Sequence, residues 1–110
     1  MTEIDKANKL CSYLNFAKSI KSIYFGIKSI IRNKDVIKLI LVISDNEITN
    51  NLRKDLKYLC ENFDINVLTI KKEYLYQIKF KMLNTTKTIG IGNDSFAKAI
   101  NALEIGGKFE

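Results

Sequence analysis

Ile4, Ala7, Cys11, Leu14 and Ala17, with Leu10 beside them, recur at spacings of three and four residues. That period marks one apolar stripe of an amphipathic helix of about 17 residues. Lys6, Lys9 and Lys18 fall on its other face. The short aromatic run Ser22-Ile-Tyr-Phe25, ended by Gly26, predicts a brief strand. A second helix then runs from about Ile27 to Asn33 or Lys34. Ile37-Lys-Leu-Ile-Leu-Val-Ile43 is almost continuously branched and apolar, the composition of a strand buried on both faces and central in its sheet. Ser44-Asp-Asn-Glu47 stops that strand with the spacing of a capping box for the next helix. The buried stripe of this third helix is Ile48, Leu52, Leu56, Leu59 and Phe63. Ile65 to Ile70 predicts another strand, Lys72 to about Ile78 a short helix, and Asn84-Thr-Thr-Lys87 a polar loop. Thr88 to Ile91 predicts the last strand. Asn93-Asp94 caps a final helix with stripe Phe96, Ala97, Ile100 and Leu103, and Gly106-Gly107 ends it.

Helices and strands therefore alternate along the whole chain, from α to α. Strict alternation places helices on both faces of a small, largely parallel or mixed sheet, a three-layer α/β/α sandwich. The chain has 110 residues, which fits one domain over residues 1–110 without an internal repeat or linker. At that length folding removes roughly two thirds of the unfolded surface from water, enough for a core without metal or disulfide staples.

Composition narrows the chemistry mainly through what is missing. The chain has no histidine, so Ser-His-Asp and Cys-His catalysis and His metal ligands are excluded. Two cysteines, Cys11 and Cys60, cannot build a four-thiolate zinc site, and they read as a buried pair of reduced thiols. No metal or cofactor is expected. The longest unbroken aliphatic run, Leu39 to Ile43, is far short of the roughly 18 residues of a membrane span. The N-terminus lacks a signal peptide's apolar stretch, so a cytoplasmic protein without membrane contact is expected. Lys and Arg number 18 against 12 Asp and Glu, a net charge of +6, which favours polyanionic partners. All of these cations but Arg32 and Arg53 are lysines, the residue that also serves as an ordinary solubilising surface.

Three places hold candidate chemistry. Gly90-Ile-Gly92 lies between a strand and a helix start, but Ser95 stands where a dinucleotide fingerprint needs its third glycine. A tight strand-to-helix turn explains it. Asp45 and Glu47 follow the central strand, where α/β sheets place ligands, yet helix capping and the helix dipole also explain them. Around Gly26, Tyr24-Phe-Gly-Ile-Lys-Ser-Ile-Ile-Arg32 joins a strand to a helix, with Lys28 and Arg32 one turn apart. A helix start with free N–H groups and two cations suits a sugar-phosphate backbone, and the glycine lets that backbone come close.

From about residue 10 to 103 the chain resembles the YlxQ-type bacterial members of the kink-turn-binding ribosomal-protein superfamily. Leu14-Asn-Phe-Ala-Lys18 is similar to the family's first-helix pattern of Leu, Gly, Leu, Ala and a base. Gly26 stands at the glycine before the second helix. Lys38-Leu-Ile-Leu-Val-Ile-Ser-Asp45 is similar to the family's Lys-Leu-Val-Ile-Ile-Ala-x-Asp strand. Asn50-Asn-Leu-Arg-Lys-Asp-Leu-Lys-Tyr-Leu-Cys60 and Asp94-Ser-Phe-Ala-Lys-Ala-Ile100 resemble its third helix and its ending.

The resemblance implies a four-stranded sheet between helix layers and binding to a sharply bent RNA internal loop with tandem sheared G·A pairs. In the family a Gly-x-Asn-Glu-x-x-Lys pattern enters the RNA groove. Here Lys28 stands in place of Asn, Ser29 in place of Glu and Arg32 in place of Lys. Both glycines of the family's Leu-Gly-x-x-x-Gly are absent from Leu75-Tyr-Gln-Ile-Lys-Phe80. The side chains that read guanine edges are thus replaced, and backbone-dominated binding by Gly26, Ile27 and Lys28 is implied. A family loop that packs on a flipped-out nucleotide corresponds to about Leu83 to Lys87, which contributes Thr85, Thr86 and Lys87. Phe25 and Asp45 complete the expected RNA-contacting set. The expected function is a non-catalytic RNA-binding protein, monomeric and associated with the ribosome or another ribonucleoprotein. The alternative is a protein-interaction module of the same fold, in which Phe25, Ile27 and Ile31 form an apolar docking patch.

Overall fold

The computed structural model describes residues 2–44, 48–78, 80 and 86–109. Helix α1 (Glu3–Ser19) starts at a reciprocal capping box. Asp5 N donates to the Thr2 hydroxyl (3.1 Å), and Thr2 N donates to the Asp5 carboxylate (3.3 Å). The box supplies partners for N–H groups that a helix start leaves without them. Hydrogen bonding to the Thr2 side chain first, and to its main-chain N–H second, holds the Asp5 carboxyl below its ordinary pKa. The predicted stripe is buried from Ala7 to Ala17. Its first member is not: Ile4 is 68% exposed. It borders a groove of about 630 Å³ shared with Ala7, Tyr74 and Tyr76, so periodicity alone overstates what covers the first turn.

Strand β1 (Ile23–Phe25) leads into the short helix α2 (Ile27–Arg32), followed by β2 (Leu39–Ser44), α3 (Asn50–Phe63) and β3 (Asn66–Lys71). A 3-10 helix (Lys72–Leu75) stands where a short helix to Ile78 was expected. Then come β4 (Thr88–Ile91), α4 (Asp94–Ala102) and β5 (Gly107–Lys108). The sheet order is β1-β4-β2-β3-β5, with β2 and β3 parallel and every other pair antiparallel. It is a mixed sheet inside an α/β sandwich, as expected.

Strand β2 takes the central place that its apolar run predicts. Leu39, Ile40, Leu41, Val42 and Ile43 are all at most 5% exposed. Leu39, Leu41 and Ile43 join the core under α1 and α4, while Ile40 and Val42 join the core under α2 and α3. Burying each such side chain contributes about 1.5–3 kcal/mol, which is why a strand between two helix layers has almost no polar position. Ile37 is buried too, but it precedes the ladder rather than starting it.

Three expectations are corrected. Helix α3 does not open on a Ser44–Glu47 capping box: it begins at Asn50, and the Thr49 hydroxyl accepts from Leu52 N (3.2 Å). Residues 45–47 of the expected box lie outside the described residues. Gly106-Gly107 does not end the last helix, which stops at Ala102 with Leu103 as its C-cap. The chain turns back instead, and Gly107 enters β5 as a fifth, two-residue strand beside the four expected ones. Two apolar anchors hold that turn: Ile105 is buried in the first core, and Phe109 packs on the second while its N–H donates to Val67 O (3.1 Å).

The cysteines differ from a buried pair as well. Both are free, but only Cys11 is buried, and Cys60 is half-buried. The Cys11 thiol donates to Tyr74 O (3.3 Å), and burial pushes its pKa up. Such a thiol is a packing group rather than a nucleophile.

One contact in the sheet positions the second helix. A Cβ on Gly90 would lie 2.9 Å from Ile37 Cδ1 and 3.0 Å from Ile30 Cγ1. The bare backbone of β4 is thus the floor on which α2 rests through Ile30, its one fully buried residue.

Candidate nucleic-acid interface

Strands β1 and β2 are both antiparallel to β4, so their carboxyl ends meet the start of β4 at one end of the sheet. Gly26 follows β1 there, and Thr86 and Lys87 precede β4. The structure brings these two expected site segments together although 60 positions of sequence separate Gly26 from Thr86. A Cβ on Gly26 would stand 3.4 Å from Thr86 Oγ1. Gly26 N donates to Thr88 O (3.0 Å), and Ile43 N donates to Lys87 O (2.8 Å). Main-chain hydrogen bonds therefore tie both segments to the sheet.

Gly26 has φ +87 and ψ 148, a combination open essentially only to glycine. It turns the chain from β1 into α2, and Gly26 O accepts the first helical hydrogen bond from Ile30 N (3.1 Å). As the N-cap it has no side chain to offer the first N–H groups of α2. The helix is only six residues long, ending at Arg32, so its summed dipole is small. The first N–H groups of α2 have no side-chain cap, and side chains supply most of the charge around them. Lys28 and Arg32 are exposed, lie one turn apart, and form no ion pair among the described residues. Lys87 is half-buried.

Thr86 is held by its own turn. Thr88 N donates to the Thr86 hydroxyl (3.4 Å), and the hydroxyl faces Thr88 O at 3.5 Å. Ser29 is half-buried, and its carbonyl accepts from Asn33 Nδ2 (2.8 Å) at the end of α2. Asp45 and Thr85 of the expected set lie outside the described residues.

The apolar members of the expected docking patch are divided between two layers. Phe25 packs against the core under α1, whereas Ile27 and Ile31 pack on the opposite side of the sheet against the core under α3. They are half-buried structural residues on two different layers. Phe25 meets Phe80 edge to face, with ring centroids 5.6 Å apart at 79°. The Lys18 amine of α1 lies 4.3 Å from the centroid of the same Phe80 ring. Lys18 and Phe80 were not among the expected site residues. The lone aromatic of Lys79-Phe-Lys81, between two cations, is the only trace of this contact in the sequence.

The Gly90–Gly92 segment is a strand-to-helix turn, as expected. Its helix start is closed by Asn93, whose side-chain oxygen accepts from Phe96 N (3.0 Å).

No helix among the described residues is long and apolar enough to cross a membrane. No protein-family model matches the chain, and no curated protein matches it. Among solved structures it is similar to a protein with unknown function from Bacillus halodurans C, with 19% identity and a TM-score of 0.66. The match covers 86% of this chain and 95% of that one. At that identity the likeness establishes a shared fold over most of both chains, and nothing further.

Proposed function

We propose that this protein is a non-catalytic, cytoplasmic RNA-binding module that recognises a structured, kink-turn-like RNA, in the ribosome or another ribonucleoprotein. The observation that carries this reading is the meeting of Gly26 with Thr86 at one corner of the sheet. Two segments singled out separately as RNA-contacting thereby become one surface. Gly26 supports close approach of a sugar-phosphate backbone because nothing projects from its Cα. Lys28, Arg32 and Lys87 supply positive charge around it, and the Thr86 hydroxyl can exchange its long local contacts for an RNA oxygen. Folded RNA is recognised mainly by shape and by phosphate and 2′-hydroxyl contacts, and the described residues of this corner offer cations and a hydroxyl for such contacts. Phe25 packs on a different layer from Ile27 and Ile31, which favours the RNA reading over a docking patch made of those three residues.

The test is a gel-shift titration with a kink-turn RNA beside the same duplex lacking the sheared G·A pairs. Binding at least tenfold tighter to the intact kink-turn is expected. Equal, weak binding to both would overturn the proposal.

A further inference from the structure

We propose that Lys18 is a further RNA-contacting residue, and that the RNA crosses the edge strand β1 from the α2 layer to the α1 layer. The inference rests on the RNA-binding reading above and extends its footprint to a face that reading does not use.

Strand β1 is the outermost strand of the sheet and only three residues long. Its last residue, Phe25, points its ring into the α1 layer, while the next residue, Gly26, starts the helix of the opposite layer. The two layers therefore meet at consecutive residues, with no further strand outside them among the described residues. Phe80 packs edge-on against Phe25 and carries the Lys18 amine on its face. Gly26, Phe25, Phe80 and Lys18 form one continuous path from the corner to α1.

The contact with Phe80 matters physically because lysine is a flexible side chain that loses rotamer freedom when it binds. An amine already resting on a ring loses less. The ring takes one side of the ammonium, Lys18 is exposed, and it has no acidic partner among the described residues. Phe80, the ring it rests on, also contacts Phe25 beside Gly26. That arrangement prepares a cation for a phosphate, with Phe80 as its positioning residue.

Salt dependence gives the count. With Lys28, Arg32 and Lys87 alone, log K against log[salt] has a slope of roughly −2 to −3, and a fourth phosphate contact takes it to roughly −3 to −3.5. The experiment measures this slope on the kink-turn RNA for the wild type, Lys18→Ala, Lys18→Arg and Lys57→Ala. Lys57 is exposed on α3, pairs with Glu61, and removes the same unit of charge from a different face. Lys18→Ala is expected to flatten the slope by roughly 0.7–0.9, while Lys18→Arg and Lys57→Ala keep the wild-type value. If Lys18→Ala keeps the wild-type slope, or changes no more than Lys57→Ala, the crossing is overturned while kink-turn binding itself stands. If the wild type shows no preference for the intact kink-turn, the broader reading falls and this inference with it.

Discussion

The centre of the sheet and its Gly26 corner are built on opposite principles. At the centre, five consecutive residues of β2 fill two cores at once, and each is closed in on both sides of the sheet. At the corner one glycine with φ +87 turns the chain. It caps α2 with no side chain, and it faces a threonine from a distant loop. The centre is apolar and closed, whereas the corner turns on single residues and exposes Lys28 and Arg32. The core and the proposed RNA surface are thus separated in space, so substitutions can address them one at a time.

Leu41→Ala breaks the comparison from the side of the centre. Leu41 is fully buried, and truncation removes transfer energy and leaves a cavity, so a loss of about 3–4 kcal/mol is expected in denaturant unfolding. Binding to the kink-turn RNA should be unchanged under conditions where the variant remains folded. Gly26→Ala acts from the corner. Its conformation costs an alanine about 1–3 kcal/mol, and the added Cβ projects where RNA would approach, so affinity should fall at least tenfold. A fall in affinity no larger than that of Leu41→Ala would show that Gly26 is merely a turn residue. Lys28→Ala and Arg32→Ala sharpen the same division with the smallest structural effect. Both side chains are exposed, and each change should alter stability by less than about 0.5 kcal/mol. Each should also flatten the salt dependence of binding by roughly 0.7–0.9.

Much of the fold was legible in the residues because burial is written in periodicity. The branched run ending at Ile43 is a central strand, the spacing of Leu52, Leu56 and Leu59 is a helix face, and Asn93 is a cap because its side chain can reach Phe96 N. Periodicity misled where a covering partner was assumed. Ile4 has the right spacing, but it stays mostly exposed at the rim of a groove. Gly106-Gly107 looked like a stop because glycine commonly ends helices, yet Ile105 and Phe109 pull the following chain back onto the sheet. At Ser44-Asp-Asn-Glu47 the capping spacing was present, but Thr49, nearer the buried stripe, holds the cap.

The candidate site divides in the same way. Gly26, Lys28 and Arg32 could be singled out because a glycine between a strand and two spaced cations is a local pattern. The contact of Lys18 with Phe80 could not, since no spacing connects a lysine on α1 to an aromatic 62 positions later. The sequence by itself determined the alternation of elements, the central place of β2 and the exclusion of histidine chemistry, all of which follow from residue type and local period. Only the tertiary structure decided that Thr86 meets Gly26, that Phe25 and Ile27 face different layers, and that Lys18 lies over Phe80. Those are facts of strand order and direction, set by how the two helix layers close over β2 rather than by any one segment's own preference.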